Sequence, residues 1–229
     1  MAWDFAAEIH ALTNFDADDI STTTTSGETL SAHATQWLTD GAKEVINILS
    51  NNSNYLNLLT SSNTLSDTAG TTLSLNNAKV INVVLYDGTR LQECRMIPAS
   101  MRGRANDIND LMNYATSSDP VCWIKSGVLE AFPTPTDSNY VKAETLSYPT
   151  FTAADAGTYD ITSISSIANF PDEAEYLVVL YATIKATEYM MLSEQDQEVY
   201  APQLTTLKQD YKEGLSLLGG GGQQPQGGR

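Results

Sequence analysis

Basic residues, cysteine and histidine are all scarce in this 229-residue chain, and each shortage removes a class of function. Twelve Lys+Arg stand against 28 Asp+Glu, a net charge of −16. Such a chain repels polyanions at long range, which excludes a general nucleic-acid-binding role unless its few cations gather on one face. Two cysteines, Cys94 and Cys122, are too few for a disulfide framework. Their neighbours Glu93, Arg95 and Trp123 form no zinc-ligand set, so both read as free thiols. His10 and His33 fall on helical patterns with no nucleophile motif beside them, which favours packing or surface roles over catalysis. Phosphate-loop, dinucleotide-binding, nucleophile-elbow and zinc-protease motifs are missing too. No catalytic, metal-binding or cofactor-binding residue is therefore expected. No run approaches the roughly 18 apolar residues of a membrane span, and the opening MAWDFAAEIH has no charged start leading into an apolar segment. The expectation is folding in a cytoplasm, without membrane contact.

What is present is an ordinary hydrophobic share, 41%, in a chain whose charged share is only 17%, with Ser, Thr and Asn supplying neutral polar surface. The organising stretch is FPDEAEYLVVLYATIKATEYMML, from Phe170 to Leu192. Pro171 suits a first helical turn, and Asp172, Glu173 and Glu175 complement the positive end of a helix. Behind them Ala174, Leu177, Val178, Tyr181, Ile184 and Tyr189 recur at spacings of three and four, and Val179, Leu180, Ala182 and Ala186 make the second side apolar. A helix this broadly apolar must be surrounded, either by its own chain or by its own chain and another copy.

The same periodicity predicts a short helix over Ala2–Leu12 and a longer one from Leu30 to Leu49, the latter preceded by Thr25 and Glu28 at capping-box spacing. Between them FDADDISTTTTSGE reads as an acidic turn without the glycine and closing Glu of a calcium loop. Thr60–Asn77 is rich in Ser, Thr and Asn and reads as a polar loop or edge hairpin. Val80–Tyr86, the turn Asp87-Gly88 and a return strand Arg90–Ile97 form a hairpin, and Ser100–Tyr114, with Met101, Ala105, Ile108, Leu111 and Met112 at helical spacing, reads as a helix packed beside or beneath it. VCWIKSG, VLEAFP and YVKAETLSYPTF read as a small antiparallel sheet. After a linker over 152–166 and the central helix, a last helix reaches Leu218, with an interruption expected at Pro202. The tail GGGGQQPQGGR reads as flexible. The expected fold class is α+β, a mainly helical bundle with an inserted small antiparallel β region. Its parts would be N-terminal helices over 1–78, a β-rich insertion over 79–151, completing helices over 152–218 and a tail over 219–229.

Arg90, Arg95, Arg102 and Arg104 put a third of the chain's Lys+Arg into residues 90–104. Three readings stay open: salt bridges to the chain's own acids, contacts to a neighbouring subunit or partner, and phosphate contact. Tyr181, Tyr189 and Tyr211, like the stripe Leu204, Leu207 and Leu215, suit either a core or a subunit interface. Among the carboxylates, Glu130, Asp137 and Glu144 of the β region are the ones a polymer hydrolase could use.

Three stretches carry a resemblance: WLTDGAKEVINIL (Trp37–Leu49), CRMIPASMRGRANDINDLMNYATSSDPV (Cys94–Val121) and FPDEAEYLVVLYATIKATEYMM (Phe170–Met191). They are similar to virion structural proteins of marine tailed phages, and the chain resembles the head-to-tail adaptors of short-tailed phages, also called head-completion or tail tubular proteins. The resemblance implies a homo-oligomeric ring, usually of twelve copies, beneath the portal protein and above the tail nozzle or tube protein. DNA would pass through its channel without sequence-specific binding, and a carboxyl-terminal arm over 204–229 would reach into the portal. It implies a location in the virion neck. The alternatives within the virion are another neck or tail component, such as a tail terminator or nozzle-associated protein, or a virion-associated polymer hydrolase.

Overall fold

The computed structural model describes residues 4–13, 30–152, 166–193 and 197–219. The acidic turn, the Thr25/Glu28 capping pair, almost all of the 152–166 linker and the glycine tail lie outside them. In chain order the elements are α1 (Phe5–Thr13), α2 (Leu30–Leu49), α3 (Ser53–Leu59), β1 (Thr60–Leu65), β2 (Thr72–Ser74), β3 (Lys79–Tyr86), β4 (Leu91–Glu93), β5 (Arg95–Met96), α4 (Arg102–Ala105), β6 (Val121–Lys125), β7 (Val128–Phe132), β8 (Val141–Leu146), α5 (Asp172–Ser193) and α6 (Gln197–Gly219). They fall into two compact units, one of Met1–Leu59 with Tyr148–Arg229, the other of Thr60–Ser147.

The first unit is helical and built around α5. Asp4 caps α1 by accepting the Ala7 N–H (2.7 Å), and Phe5 and Ile9 turn inward. Along α5 the positions Ala174, Leu177, Val178, Val179, Leu180, Ala182, Thr183, Ile184, Ala186 and Thr187 are all buried, so no single stripe faces the core. Its two buried threonines satisfy their hydroxyls locally, donating to the Val179 and Thr183 carbonyls (2.8 Å each). Helices α1, α2 and α6 of the same chain pack against α5. The broad apolar surface is thus covered without a neighbour, and it supplies no reason for self-association. Helix α6 runs through Pro202 without the expected interruption. Pro202 is the sixth residue of α6, so the helix goes without the one bond that an N–H there would make to the Glu198 carbonyl. Leu207 and Tyr211 seat α6 on the core, and Glu188 of α5 is held by Lys185 and Lys208 at 2.9 Å each.

The amino end of this unit is crowded with like charge. Burial, then the charge of Asp4, raises the Glu8 carboxyl above its ordinary range. Burial raises Glu175 as well, with Asp172 and Glu8 adding to it against the lowering hydrogen bond from the Ile167 N–H (2.6 Å). A carboxyl whose pKa rises on folding withholds stability at neutral pH and returns it as pH falls through the raised value. Glu8→Gln is therefore expected to raise the thermal midpoint at neutral pH, the gain vanishing below the ordinary carboxylate range. A lowered neutral-pH midpoint in a thermal scan would show that Glu8 is a net asset.

The second unit holds two four-stranded sheets, ordered β1-β8-β3-β4 and β2-β7-β6-β5. All ladders are antiparallel except β5 with β6. Leu65, Val83, Leu85, Val141 and Ala143 from the first sheet meet Cys122, Leu129 and Ala131 from the second in one core, so the sheets stack face to face. In β8 the alternation of buried Val141 and Ala143 with exposed Lys142 and Glu144 shows one face packed and one wet. The hairpin turn of β6 and β7 rests on Ser126 and Gly127, both at positive φ (52° and 76°).

These sheets overturn the expectation of a mainly helical bundle with a small β region. The chain is α+β, 45% helical and 24% strand, with six helices and two sheets of four strands among the described residues. The stretch 60–77, read as a polar loop or edge hairpin, holds the edge strands β1 and β2, which do not pair as a hairpin because each forms the edge of a different sheet. Edge strands tolerate Ser, Thr and Asn because one side is open to water. The return strand from β3 also splits. It leaves the first sheet at Cys94 and joins the second as β5, so one predicted strand serves both sheets.

Candidate interaction surfaces

The largest departure from the sequence pattern lies between Ala105 and Ala115. The helix expected over Ser100–Tyr114 shrinks to a 3-10 turn, Ala99–Met101, and the single turn α4. Beyond it, side-chain and backbone acceptors fold the chain into turns. Asp107 Oδ1 accepts the Asn109 N–H (3.0 Å), and the Asp110 carbonyl accepts the N–H groups of Asn113 (3.1 Å) and Tyr114 (2.8 Å). The Asp110 carboxylate takes Asn113 Nδ2 (2.9 Å) and Arg104 Nε (2.7 Å), and these two hydrogen bonds hold its pKa below the usual carboxylate range. The Ala115 N–H closes the loop on the Ala105 carbonyl at 3.0 Å. Underneath, Ala105 and Ala115 rest on Val121 and Trp123, with Ile97, Ala99 and Phe132 around them.

The polar residues of this loop are spent on its own fold, and its apolar ones point out. Ile108, Leu111 and Met112 are 69%, 92% and 89% exposed. Single exposed leucines are ordinary, but three large apolar side chains within five positions on a pinned loop form a patch that water solvates poorly.

A cleft opens on the same unit. Because the chain leaves the first sheet at Cys94, β4 covers only Val84–Tyr86 of β3, and the Cys94 N–H closes the seam on the Val83 carbonyl (2.8 Å). The remaining part of β3, with a bulge between Val80 and Asn82, has no strand on that side among the described residues. The resulting cleft, about 430 Å3, has Val80, Ile81, Val83 and Met96 on its walls and Glu93 and Arg95 among its polar members. Cys94 and Cys122 also line it, and burial pushes their thiols up to about 12 and about 11, Cys94 with help from the charge of Cys122. Neither is a thiolate at neutral pH.

The four arginines do not converge on one site. Arg90 pairs with Asp87 (3.5 Å), Arg95 with Asp119 (2.9 Å) and Arg104 with Asp110 (2.7 Å), all with exposed guanidinium groups. Arg102 is exposed and has no ion pair among the described residues. Of the late-helix candidates, Leu207 and Tyr211 are buried and Leu204 and Leu215 half-buried. Tyr181 lies against Tyr211 (ring centroids 6.0 Å apart) under Lys185, and Tyr189 packs on His33 (5.5 Å) and Trp37 (6.0 Å). Burial, then the Glu44 charge, raises the Tyr211 phenol.

Glu130, Asp137 and Glu144 are likewise dispersed. Glu130 Oε2 accepts the Trp123 indole N–H (2.8 Å) on the second sheet, and Glu144 is exposed on the first. Asp137 staples Thr68, accepting its N–H at 2.9 Å and its hydroxyl at 2.7 Å, and these bonds lower its pKa. An ionised Asp137 is no general acid at neutral pH. No three His, Cys, Asp or Glu gather as a metal site among the described residues, and no described helix is long and apolar enough to cross a membrane. The exposed loop and the open cleft were invisible to sequence reasoning, which put Ile108, Leu111 and Met112 on a packed helix. The density of Asp and Asn over 106–113 was the signal that could have found them.

Compared with known proteins, the chain matches no protein-family model and no curated protein.

Proposed function

We propose that this protein is a structural component of a phage virion, a head-to-tail adaptor whose copies form a ring of about twelve between the portal protein and the tail nozzle or tube protein. The observation that carries the assembly role is the pinned loop with Ile108, Leu111 and Met112 turned to solvent, a surface whose chemistry asks for a protein partner. The choice of assembly comes from the resemblance of Trp37–Leu49, Cys94–Val121 and Phe170–Met191 to virion proteins of marine tailed phages. A helical unit interrupted by a unit of strands is consistent with it. The net charge of −16, multiplied around a channel, lets DNA slide without adhering. In this reading the protein is no enzyme: Glu130 and Asp137 are engaged in holding the fold, and the thiols stay protonated.

Negative-stain imaging of the purified protein, alone and with portal protein, tests the proposal. Rings that stack on the portal are expected. A strict monomer that never binds portal would overturn it, as would cleavage of a cell-wall or capsule polymer that is lost in Glu130→Gln or Glu144→Gln with assembly intact.

A further inference from the structure

The β unit carries both an apolar knob, the 106–114 loop, and a cleft beside β3 with apolar and polar lining, and the two differ in shape and place. We infer that the knob of one copy docks in the cleft of a second, a contact that rests on the self-association proposed above and gives it an address. Three observations support the match. The knob offers Ile108, Leu111 and Met112, and the cleft answers with Val80, Ile81 and Met96, itself 51% exposed. The loop is already closed by Ala105–Ala115 and braced by Arg104–Asp110, so docking loses little conformational freedom. One pair of exposed charges is complementary: Arg102, on the turn leading into the knob, and Glu93, at the cleft, lack an ion pair among the described residues, as does the knob's own Asp107. The open edge of β3 adds backbone donors and acceptors that a loop can meet. Knob and cleft are different surfaces, so the contact is heterologous. It propagates from copy to copy and closes into a ring if the rotation allows.

Sedimentation velocity and light scattering on the full-length protein test this. Leu111→Glu and Met112→Glu in the knob, and Met96→Glu in the cleft, are each expected to weaken association about a hundredfold. At concentrations where the wild type is monomeric their thermal midpoints should match it, because all three side chains are exposed. A mixture of Leu111→Glu and Met96→Glu retains one good knob and one good cleft, and is expected to give a one-to-one dimer that grows no further. Arg102→Glu should weaken association, and Glu93→Arg in the same chain should restore part of it. Assembly of Leu111→Glu at wild-type concentrations, or a mixture that stays monomeric, overturns the contact while leaving self-association standing. Loss of portal binding with unchanged self-association assigns the knob to the portal instead and also overturns it. A wild type that is monomeric at every concentration removes the self-association reading itself.

Discussion

Leu180→Ala is expected to lower the stability of the helical unit by about 2–5 kcal/mol, the range for deleting most of a buried leucine from a core that cannot collapse onto the gap. Leu180 is 1% exposed, and its neighbours along α5 from Leu177 to Val179 and from Ala182 to Ile184 are buried as well. Relaxation around the cavity is limited on at least one side. Gly41 of α2 lies so close to α5 that a Cβ on it would come within 2.9 Å of the Tyr181 ring and 3.0 Å of its Cβ. Only a residue without a side chain permits that approach, and two helices already in near-backbone contact have little distance left to close. Urea unfolding followed by circular dichroism reads the change as a lower midpoint at unchanged slope. In a Leu111→Glu background, which weakens association through the β unit, the midpoint for this unit should also be independent of protein concentration, because α5 is covered by its own chain. A Leu180→Ala midpoint within experimental error of wild type, or a midpoint that climbs with concentration in the Leu111→Glu background, would show that α5 needs another copy to cover it.

This bears on what the sequence could and could not reveal. The apolar width of α5 correctly demanded that it be surrounded, but periodicity has no way to say by whom. Only the packing of α1, α2 and α6 answers that. Helices whose apolar positions recur at three and four were legible: α2 appears over Leu30–Leu49, and α1 ends before Asn14 as expected. Strands were legible where β-branched residues cluster, as in Lys79–Tyr86, and ambiguous between loop and hairpin where the strand is a polar edge, as in Thr60–Leu65. The helical spacing of Met101, Ala105, Ile108, Leu111 and Met112 misled because the intervening Asp107, Asn109, Asp110 and Asn113 bond to local backbone and side-chain groups in preference to continuing a helix. The candidate surface was therefore present in the sequence as residues but not as a surface. Of the interface candidates, Leu207 and Tyr211 are consumed by the chain's own core, and Arg90, Arg95 and Arg104 by its own acids.

Trp123→Ala is expected to cost about 3–5 kcal/mol in the β unit, the toll of removing a large aromatic from a packed core. Trp123 is 4% exposed on the outer face of the second sheet, where Ala105 and Ala115, the two ends of the apolar loop, sit against it. The run Val121-Cys122-Trp123 is buried at every position, because one face of β6 packs into the two-sheet core and the other lies under the 97–115 segment. Trp123→Phe keeps much of the volume and loses the 2.8 Å hydrogen bond to Glu130, whose partly exposed carboxylate regains water, so its cost should be about 1 kcal/mol. The functional consequence separates support from contact. Trp123→Ala removes the platform, so amide exchange at Ala115 should quicken and self-association should weaken together with stability. Leu111→Glu alters only the exposed tip, so association should fall while stability and the Ala115 amide hold. If Trp123→Ala leaves both the unfolding midpoint and Ala115 exchange at wild-type values, the loop does not depend on that cluster, and its rigidity must come from the Arg104–Asp110 and Asn113–Asp110 bonds alone.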